Sequence, residues 1–469
     1  MIPSTLEHLA AVTGGVVHDG DPGTVVTGPV VVDSRAAEPG SLFVAMRGDR
    51  VDGHDFAQAA MAAGAVAALA TRPVAVPAVV VADPLAALGA LARDLLDRRP
   101  AVTVTALTGS SGKTTTKDLL AQVLASTVPG AADATVATVA SQNNELGLPL
   151  TVLTCDESTR HLVVEMGARG AGHIDYLASI ARPHVAVVLN VGSAHLGEFG
   201  SRQAIAAAKG ELVAALRPDG LAVLNGDDPL VRAMAERTQA RVVLVGESER
   251  CQVRADDVRV DEQGRAGFTL VTPQGSAAVA LRVYGEHHVA NALAVAAVAL
   301  EHGAELPAVA AALSQAEPSS RWRMEVRQRA DGLTVVNDAY NANPESMRAA
   351  LKALAAMAGG RRTWAVLGEM LELGPDSGTE HDAVGRLAVR LNVSRVVAVG
   401  DGARLLHMGA SLEGSWDNES VWVPDIETAL DLLEAEVRPD DVVLVKASRA
   451  IGLERVAAAL LGEHAGAAS

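Results

Sequence analysis

Cysteine, lysine and long apolar runs are all scarce in this chain, and each scarcity removes a class of protein. The two cysteines, Cys155 and Cys251, are too few for a disulfide framework and have no CxxC spacing, so both read as ordinary thiols. Although 49% of the chain is hydrophobic, Gly, Pro, His or a charge interrupts every apolar stretch before it could cross a bilayer, so no membrane span is expected. Residues 1–9 show no basic segment leading into an apolar core, and a cytoplasmic location is the expectation. The formal net charge is -17 and no basic patch is visible, which argues against nucleic acid as a partner. Any anionic ligand must then be held by a few placed groups. Only Lys113, Lys117, Lys209, Lys352 and Lys446 occur, so 34 of the 39 basic residues are arginine. A lysine here invites a chemical reason, although biased base composition produces the same scarcity.

What is present is an extended α/β pattern. At 469 residues the chain exceeds what one hydrophobic core supports, and about three domains are expected. Residues 1–100 mix short strands (30–32, 41–45) with a helix at 56–63, as a small α/β domain does. After Arg98-Arg99-Pro100, a β-branched run at 102–107 ends in a glycine turn that opens a helix at 114–124. Further buried-strand candidates lie at 162–164, 185–189, 222–224 and 242–245, alternating with helices, which implies a largely parallel sheet. Residues 251–283 read as short alternating strands forming an antiparallel extension, and 288–300 as an Ala-rich helix. Pro318-Ser319-Ser320 marks a hinge. Beyond it, strands at 333–336, 364–367, 396–399 and 442–445 mostly end in Gly or a polar residue, as strands facing a ligand crevice do. The expected fold class is α/β in three domains: a small α/β unit (1–100), a central P-loop mononucleotide-binding parallel sheet (101–318) and a Rossmann-like C-terminal unit (319–469).

The segment Gly109-Ser110-Ser111-Gly112-Lys113-Thr114-Thr115 follows a strand and opens a helix, the context a phosphate loop requires. Its glycines let backbone N–H groups converge on phosphate oxygens, the helix N-terminus adds its positive end, and Lys113 supplies a point charge. Thr114 is placed to hold magnesium. Leu107 stands where the standard pattern asks for its first glycine, so this is a shortened variant. Glu165, at a strand end, could hold a further Mg²⁺. His195 follows a buried strand, and Lys209 lies on a helix. Taken singly, each of these three reads more readily as a structural or solvated residue.

Their order carries more. Thr108 to Thr116, Asn143-Asn144-Glu145 with the Gly147 to Thr151 run, Glu165-Met166-Gly167, Ala194-His195-Leu196-Gly197, Ala208-Lys209-Gly210-Glu211 and His287-His288-Val289-Ala290-Asn291 together resemble the Mur ligase family, in which the shortened loop recurs. Asp338-Ala339-Tyr340-Asn341-Ala342-Asn343-Pro344-Glu345-Ser346-Met347 is similar to the branch of that family that adds D-alanyl-D-alanine. The resemblance runs from about Asp33 to Glu454.

It implies an ATP-dependent amide-bond ligase of the peptidoglycan pathway, with ATP and Mg²⁺ as cofactors, UDP-N-acetylmuramoyl-tripeptide and D-alanyl-D-alanine as substrates, and a monomer as the expected state. Gly109 to Thr115 would hold nucleotide phosphates, His288 and Asn291 would border the adenine, and Asp338 would approach the nucleotide from the third domain. Thr114, Glu165 and His195 would hold metal, and Lys209 would be carbamylated. Arg321 is taken as the linker arginine that reaches the γ-phosphate, with Arg323 the competing choice. Ser34 and Arg35 match segments that cradle the UDP-sugar, and Asn143, Asn144, Tyr340, Asn341 and Asn343 would face substrate. Lys446-Ala447-Ser448-Arg449 departs from the family's Lys-Gly-Ser-Arg at Ala447. The competing readings are a sister ligase taking a diamino acid, a folylpolyglutamate-type ligase, and a P-loop switch. The Asn-Ala-Asn-Pro segment speaks against the first two, and the absence of an Asn-Lys-x-Asp motif against the third.

Overall fold

The computed structural model describes residues 2–48, 51–194, 196–414 and 419–463. Three main sheets succeed one another along the chain. The first is five-stranded, in the order Val16–His18, Ala78–Val80, Ala67–Ala70, Leu42–Val44, Val30–Val31, and is parallel except for its first pair. The second has nine strands and the third six.

In the nine-stranded sheet, Thr103–Thr108 lies between His161–Glu165 and Val185–Val188, parallel to both. The chain moves outward on one side of Thr103–Thr108 and later on the other, so a crevice opens at the carboxyl end of that strand. These strands are short apolar runs because helices cover both faces and no solvent face imposes alternation. Residues 253–284 form the antiparallel extension, but as long strands: Val253–Val260, Arg265–Thr272 and Gly275–Tyr284 span eight, eight and ten residues. Arg265–Thr272 alternates between half-buried and buried positions, the period-2 signature of a strand with one packed face.

Two helices tie the layers together. Pro84–Asp97 starts on an Asp83 side-chain cap with Pro84 in its first turn, where a missing N–H costs nothing. Its buried Leu88, Leu91 and Leu95 recur at helical spacing and share one core with Val104 and Leu162 of the nine-stranded sheet. Truncating any of these leucines to alanine would cost about 2–5 kcal/mol. The Ala-rich helix His288–Glu301 is buried on nearly every side against the opposite face of that sheet.

The third sheet runs Glu325–Gln328, Thr334–Asn337, Val442–Lys446, Thr363–Leu367, Arg395–Val399, Ser420–Val423, with only the first strand antiparallel. The last strand in sequence, Val442–Lys446, enters between two earlier ones, so the ends of Thr334–Asn337 and Val442–Lys446 deliver Asp338 and Lys446 side by side. Both cysteines are free and buried, and burial pushes the Cys155 thiol up to about 12. No described helix is long and apolar enough to cross a membrane.

Candidate active site

The phosphate loop is set by its own chemistry. Gly112 adopts φ +80° as the residue preceding helix Lys113–Thr127, a conformation that glycine takes without steric cost. Asn190, at the end of the neighbouring strand, accepts from Ser110 N at 3.0 Å and Ser111 N at 2.9 Å through its Oδ1, and its Nδ2 donates to Ser111 O at 3.1 Å. Lys113 Nζ donates to Gly109 O at 2.8 Å, folding its charge back over the loop. Burial lowers the Lys113 pKa, partly opposed by Glu165.

Behind the loop lies a ring of oxygen donors. Thr114 Oγ1 donates to Glu165 Oε2 at 2.9 Å and lies 3.0 Å from Ser141 Oγ, while Asn143 Nδ2 donates to Glu165 Oε1 at 2.6 Å. Glu165 is 1% exposed, so it is a buried carboxylate held by polar partners and not a solvated strand end. Lys209, 3% exposed on helix Arg202–Ala214, lines the same cavity. Burial first, and then the nearby Lys113 charge, push its pKa well below the ordinary lysine value, against the pull of Glu165. Among the described residues nothing hydrogen-bonds its ammonium. His195 lies outside the described residues.

The third sheet closes the cavity. Asp338 Oδ2 accepts from Lys446 Nζ at 2.6 Å, its Oδ1 accepts from Met324 N at 3.0 Å, and Lys446 also donates to Asn341 O at 2.8 Å. Lys446 is thus a buried counter-ion that fixes the Asp338 to Asn341 turn. Ala447, where the related segment has glycine, is fully buried against Gly368. Asn343 caps helix Pro344–Met357 and its Nδ2 donates to Ser110 O at 3.3 Å. The cavity, of about 580 Å³, is lined by Ser110 to Thr115, Asn143, Asn144, Glu165, Lys209, His288, Asp338, Tyr340, Asn341 and Asn343 together.

The linker arginines diverge. Arg323 Nη2 donates to Thr114 Oγ1 at 3.1 Å and Ser141 Oγ at 2.9 Å, its guanidinium lies 4.0 Å from the Tyr340 ring centroid, and its buried Nε has no partner among the described residues. Arg321 is exposed, lines a neighbouring cavity, and lies 6.0 Å from the Trp322 ring, whose nearer cation is Arg449 at 4.3 Å. The geometry therefore corrects the choice of Arg321: of the two, Arg323 is the arginine that reaches the loop. Asn291 packs under the loop. Its carboxamide lies against Gly112, where a Cβ would sit 2.8 Å from Oδ1, and it bonds His288 Nδ1 at 3.0 Å, so it supports the loop from beneath and is not a cavity wall.

Ser34 and Arg35 do not line this cavity. They form a one-turn 3₁₀ segment capped by Asp33, and Arg35 Nη2 pairs with Asp33 Oδ2 at 2.6 Å on the surface. At the turn Asp52-Gly53-His54 of the same unit, His54 Nδ1 lies 2.5 Å from Asp52 Oδ1 and its Nε2 accepts from Thr71 N at 3.0 Å. Sequence reasoning missed Asn190, Ser141 and the role of Glu345, whereas Lys446 was open to a reading as a support of the fold. For Asn190 a signal existed, a carboxamide directly after a buried strand.

Thr114, Ser141 and Glu165 present hard oxygen donors with a single carboxylate, which fits Mg²⁺ completed by ligand phosphates and water. Among the described residues no three His, Cys, Asp or Glu side chains converge as an all-protein cage.

Comparison with known proteins adds three family models: the Mur ligase middle domain over residues 107–299, the Mur ligase glutamate ligase domain over 322–449, and the Mur ligase family catalytic domain over 29–100. The chain is 50% identical to the UDP-N-acetylmuramoyl-tripeptide--D-alanyl-D-alanine ligase of Mycobacterium leprae over 99% of each sequence. It is 36% identical to the Escherichia coli enzyme of the same name, over 98% of this chain and 99% of that one. A crystal structure of MurF from Acinetobacter baumannii superposes with a TM-score of 0.86 at 35% identity, covering 98% and 99% of the two chains. The MurF ligase of Thermotoga maritima in complex with ADP gives 0.79 at 31% identity, covering 93% and 98%.

Proposed function

Because this chain belongs to the Mur ligase family, we propose that its central cavity is where a peptide carboxylate is activated with ATP and joined to an amine. The protein is an ATP-dependent ligase that adds D-alanyl-D-alanine to UDP-N-acetylmuramoyl-tripeptide in peptidoglycan precursor synthesis. The observation that supports this reading is that two residues flanking strands of the third sheet, Arg323 and Asn343, touch the phosphate loop itself, so both units line one cavity.

The difficulty of the reaction is that a carboxylate is a poor electrophile. The tripeptide's terminal carboxylate oxygen attacks the γ-phosphorus of ATP, the bridging β–γ P–O bond breaks, and ADP leaves with the electron pair. The dipeptide amine then attacks the acyl carbon, losing a proton as the C–N bond forms and phosphate departs. Lys113, the N–H groups of the first turn of helix Lys113–Thr127 and Arg323 offset charge on the transferring phosphoryl group, with the loop shaped by Asn190 and Gly112 and Arg323 held by Tyr340. Magnesium, held by Thr114, Ser141 and Glu165, would neutralise phosphate charge when bound.

Lys209 faces this site as a buried amine with a depressed pKa, and the neutral amine is the form that reacts with carbon dioxide. Its carbamylated form is an anion, suited to a cation site where an ammonium would repel. Asp338 and Lys446 hold the turn that presents Tyr340 and Asn341 to the dipeptide. Residues 1–100, with Ser34 and Arg35, take the UDP-sugar, residues 101–318 the nucleotide, and residues 319–469 the amine. The protein works in the cytoplasm as a monomer.

Phosphate release by the purified chain should require UDP-muramoyl-tripeptide and D-alanyl-D-alanine together, and free diamino acids should not replace the dipeptide. Equal turnover with a free diamino acid would overturn the assignment of the amine.

A further inference from the structure

Glu345 is the second residue of helix Pro344–Met357, where an acidic side chain suits the positive end of the helix. That role alone would leave its carboxylate turned to solvent or to its own helix. Instead it reaches another sheet. Oε1 accepts from Ser193 N at 3.0 Å and from Ser193 Oγ at 3.0 Å, and Oε2 lies 3.0 Å from the same hydroxyl.

The partner segment is the floor of the phosphate loop. Gly192 N donates to Ser110 Oγ at 2.9 Å, Val191 N donates to Asp228 Oδ2 at 2.8 Å, and Asn190 holds Ser110 and Ser111. The fit is close: a Cβ on Gly192 would sit 2.7 Å from Glu345 Cδ, so glycine there admits the carboxylate. Two residues earlier, Asn343 grips Ser110 O from the same helix start. The first turn of this helix therefore holds the loop and its floor at adjacent points, and it is continuous with the Tyr340 to Asn343 segment that the proposed function gives to the dipeptide.

We propose that Glu345 is a positioning residue for the ligase reaction: it couples docking of the third sheet to the ordered state of the Asn190–Ser193 floor, so that the loop is set for phosphoryl transfer only when the amine-bearing unit is in place. The proposal rests on the functional reading above, and its test includes a readout that needs no substrate.

The full-length chain carries three variants, Glu345→Ala, Glu345→Gln and Gly192→Ala, each checked for wild-type circular dichroism and melting. In Glu345→Ala without ligand, the Ser193 amide should exchange hydrogen about tenfold faster or more, because its acceptor is gone. The KM for ATP should stay within about threefold while kcat falls about thirtyfold or more, the split expected when a group orders the transition state and not the ground state. Glu345→Gln keeps an oxygen acceptor for Ser193 N and should retain kcat within about fivefold, while Gly192→Ala should mimic Glu345→Ala by displacing the carboxylate. Unchanged exchange and kcat in Glu345→Ala would overturn the coupling. Glu345→Gln as impaired as Glu345→Ala, with Ser193 exchange at wild-type level, would overturn it in favour of a charge or proton role. If the wild type fails to turn over the peptide substrates, the functional reading falls, while the exchange result still decides whether Glu345 holds the floor.

Discussion

Replacing Arg323 by alanine tests the site most directly, because the structure separates it from its neighbour Arg321. The Arg323 guanidinium makes two hydrogen bonds, to Thr114 and Ser141, and stacks 4.0 Å from Tyr340. In the resting protein the two bonds, at about 1.5–3 kcal/mol each from a charged donor, bear on stability and hold the side chain over the loop. During phosphoryl transfer the guanidinium acts on the barrier instead. An arginine beside the transferring group contributes about 10³–10⁵ in kcat, or about 4–7 kcal/mol of barrier. Arg323→Ala should therefore lower kcat by about a thousandfold or more. Arg323→Lys should recover only part of that, since an ammonium lacks the planar fork. Arg321→Ala should stay within about twofold, because its side chain is exposed and, among the described residues, its one ring contact is Trp322 at 6.0 Å. The assay is coupled phosphate release with both peptide substrates at saturation, on variants with wild-type melting curves. A thousandfold loss in Arg321→Ala beside near-normal Arg323→Ala would refute the reasoning.

The buried Lys209 amine predicts bicarbonate dependence: activity should fall in carefully degassed buffer and return on adding bicarbonate, and Lys209→Ala should lose about a hundredfold in kcat and regain part with formate. Indifference of both wild type and variant to these additions would remove the carbamate. At the opposite end of the central sheet, His302 meets His161 edge-on at 4.8 Å, and burial first, then the neighbouring histidines, push its pKa down to about 4. A folded pKa below the unfolded value means the unfolded chain binds the extra proton, so stability is intact above about pH 6.5 and declines toward pH 4. For this one group the loss between pH 7.5 and pH 5.5 is about 1.4 kcal/mol. Urea unfolding followed by far-UV ellipticity should show His302→Gln with a correspondingly flatter pH dependence, and an unchanged slope would count against it.

Much of the fold was legible because parallel strands buried on both faces are written as uninterrupted Val, Ala and Leu, as in Val185–Val188 and Val442–Lys446. The phosphate loop was legible because glycine, lysine and threonine at a strand-to-helix turn have few other uses. The arginine choice was not. Trp322 and Met324 both adopt left-handed backbone, φ +59° and +50°, and it is between these two non-glycine residues that Arg323 reaches inward while Arg321 stays outside. No residue type at those positions announces such a twist. Glu345 was equally silent: its partner Ser193 is 152 residues away, and an acidic residue in a first helical turn already has a local reason to be there. The packing of the Asn291 carboxamide beneath Gly112 was not legible either, because that contact depends on how helix His288–Glu301 docks.

Trp322 gives the molecule an optical gauge of its own. Every tryptophan of the chain, at 322, 364, 416 and 422, follows the Pro318-Ser319-Ser320 linker, and Trp322 sits just past it beneath the Arg449 guanidinium at 4.3 Å. Trp322, Glu325, Tyr340 and Arg449 all lie beyond that linker, so the indole reports the integrity of the last unit itself, and fluorescence of the unlabelled protein with Trp322→Phe as the silent control separates unfolding of that unit from loss of the nucleotide loop.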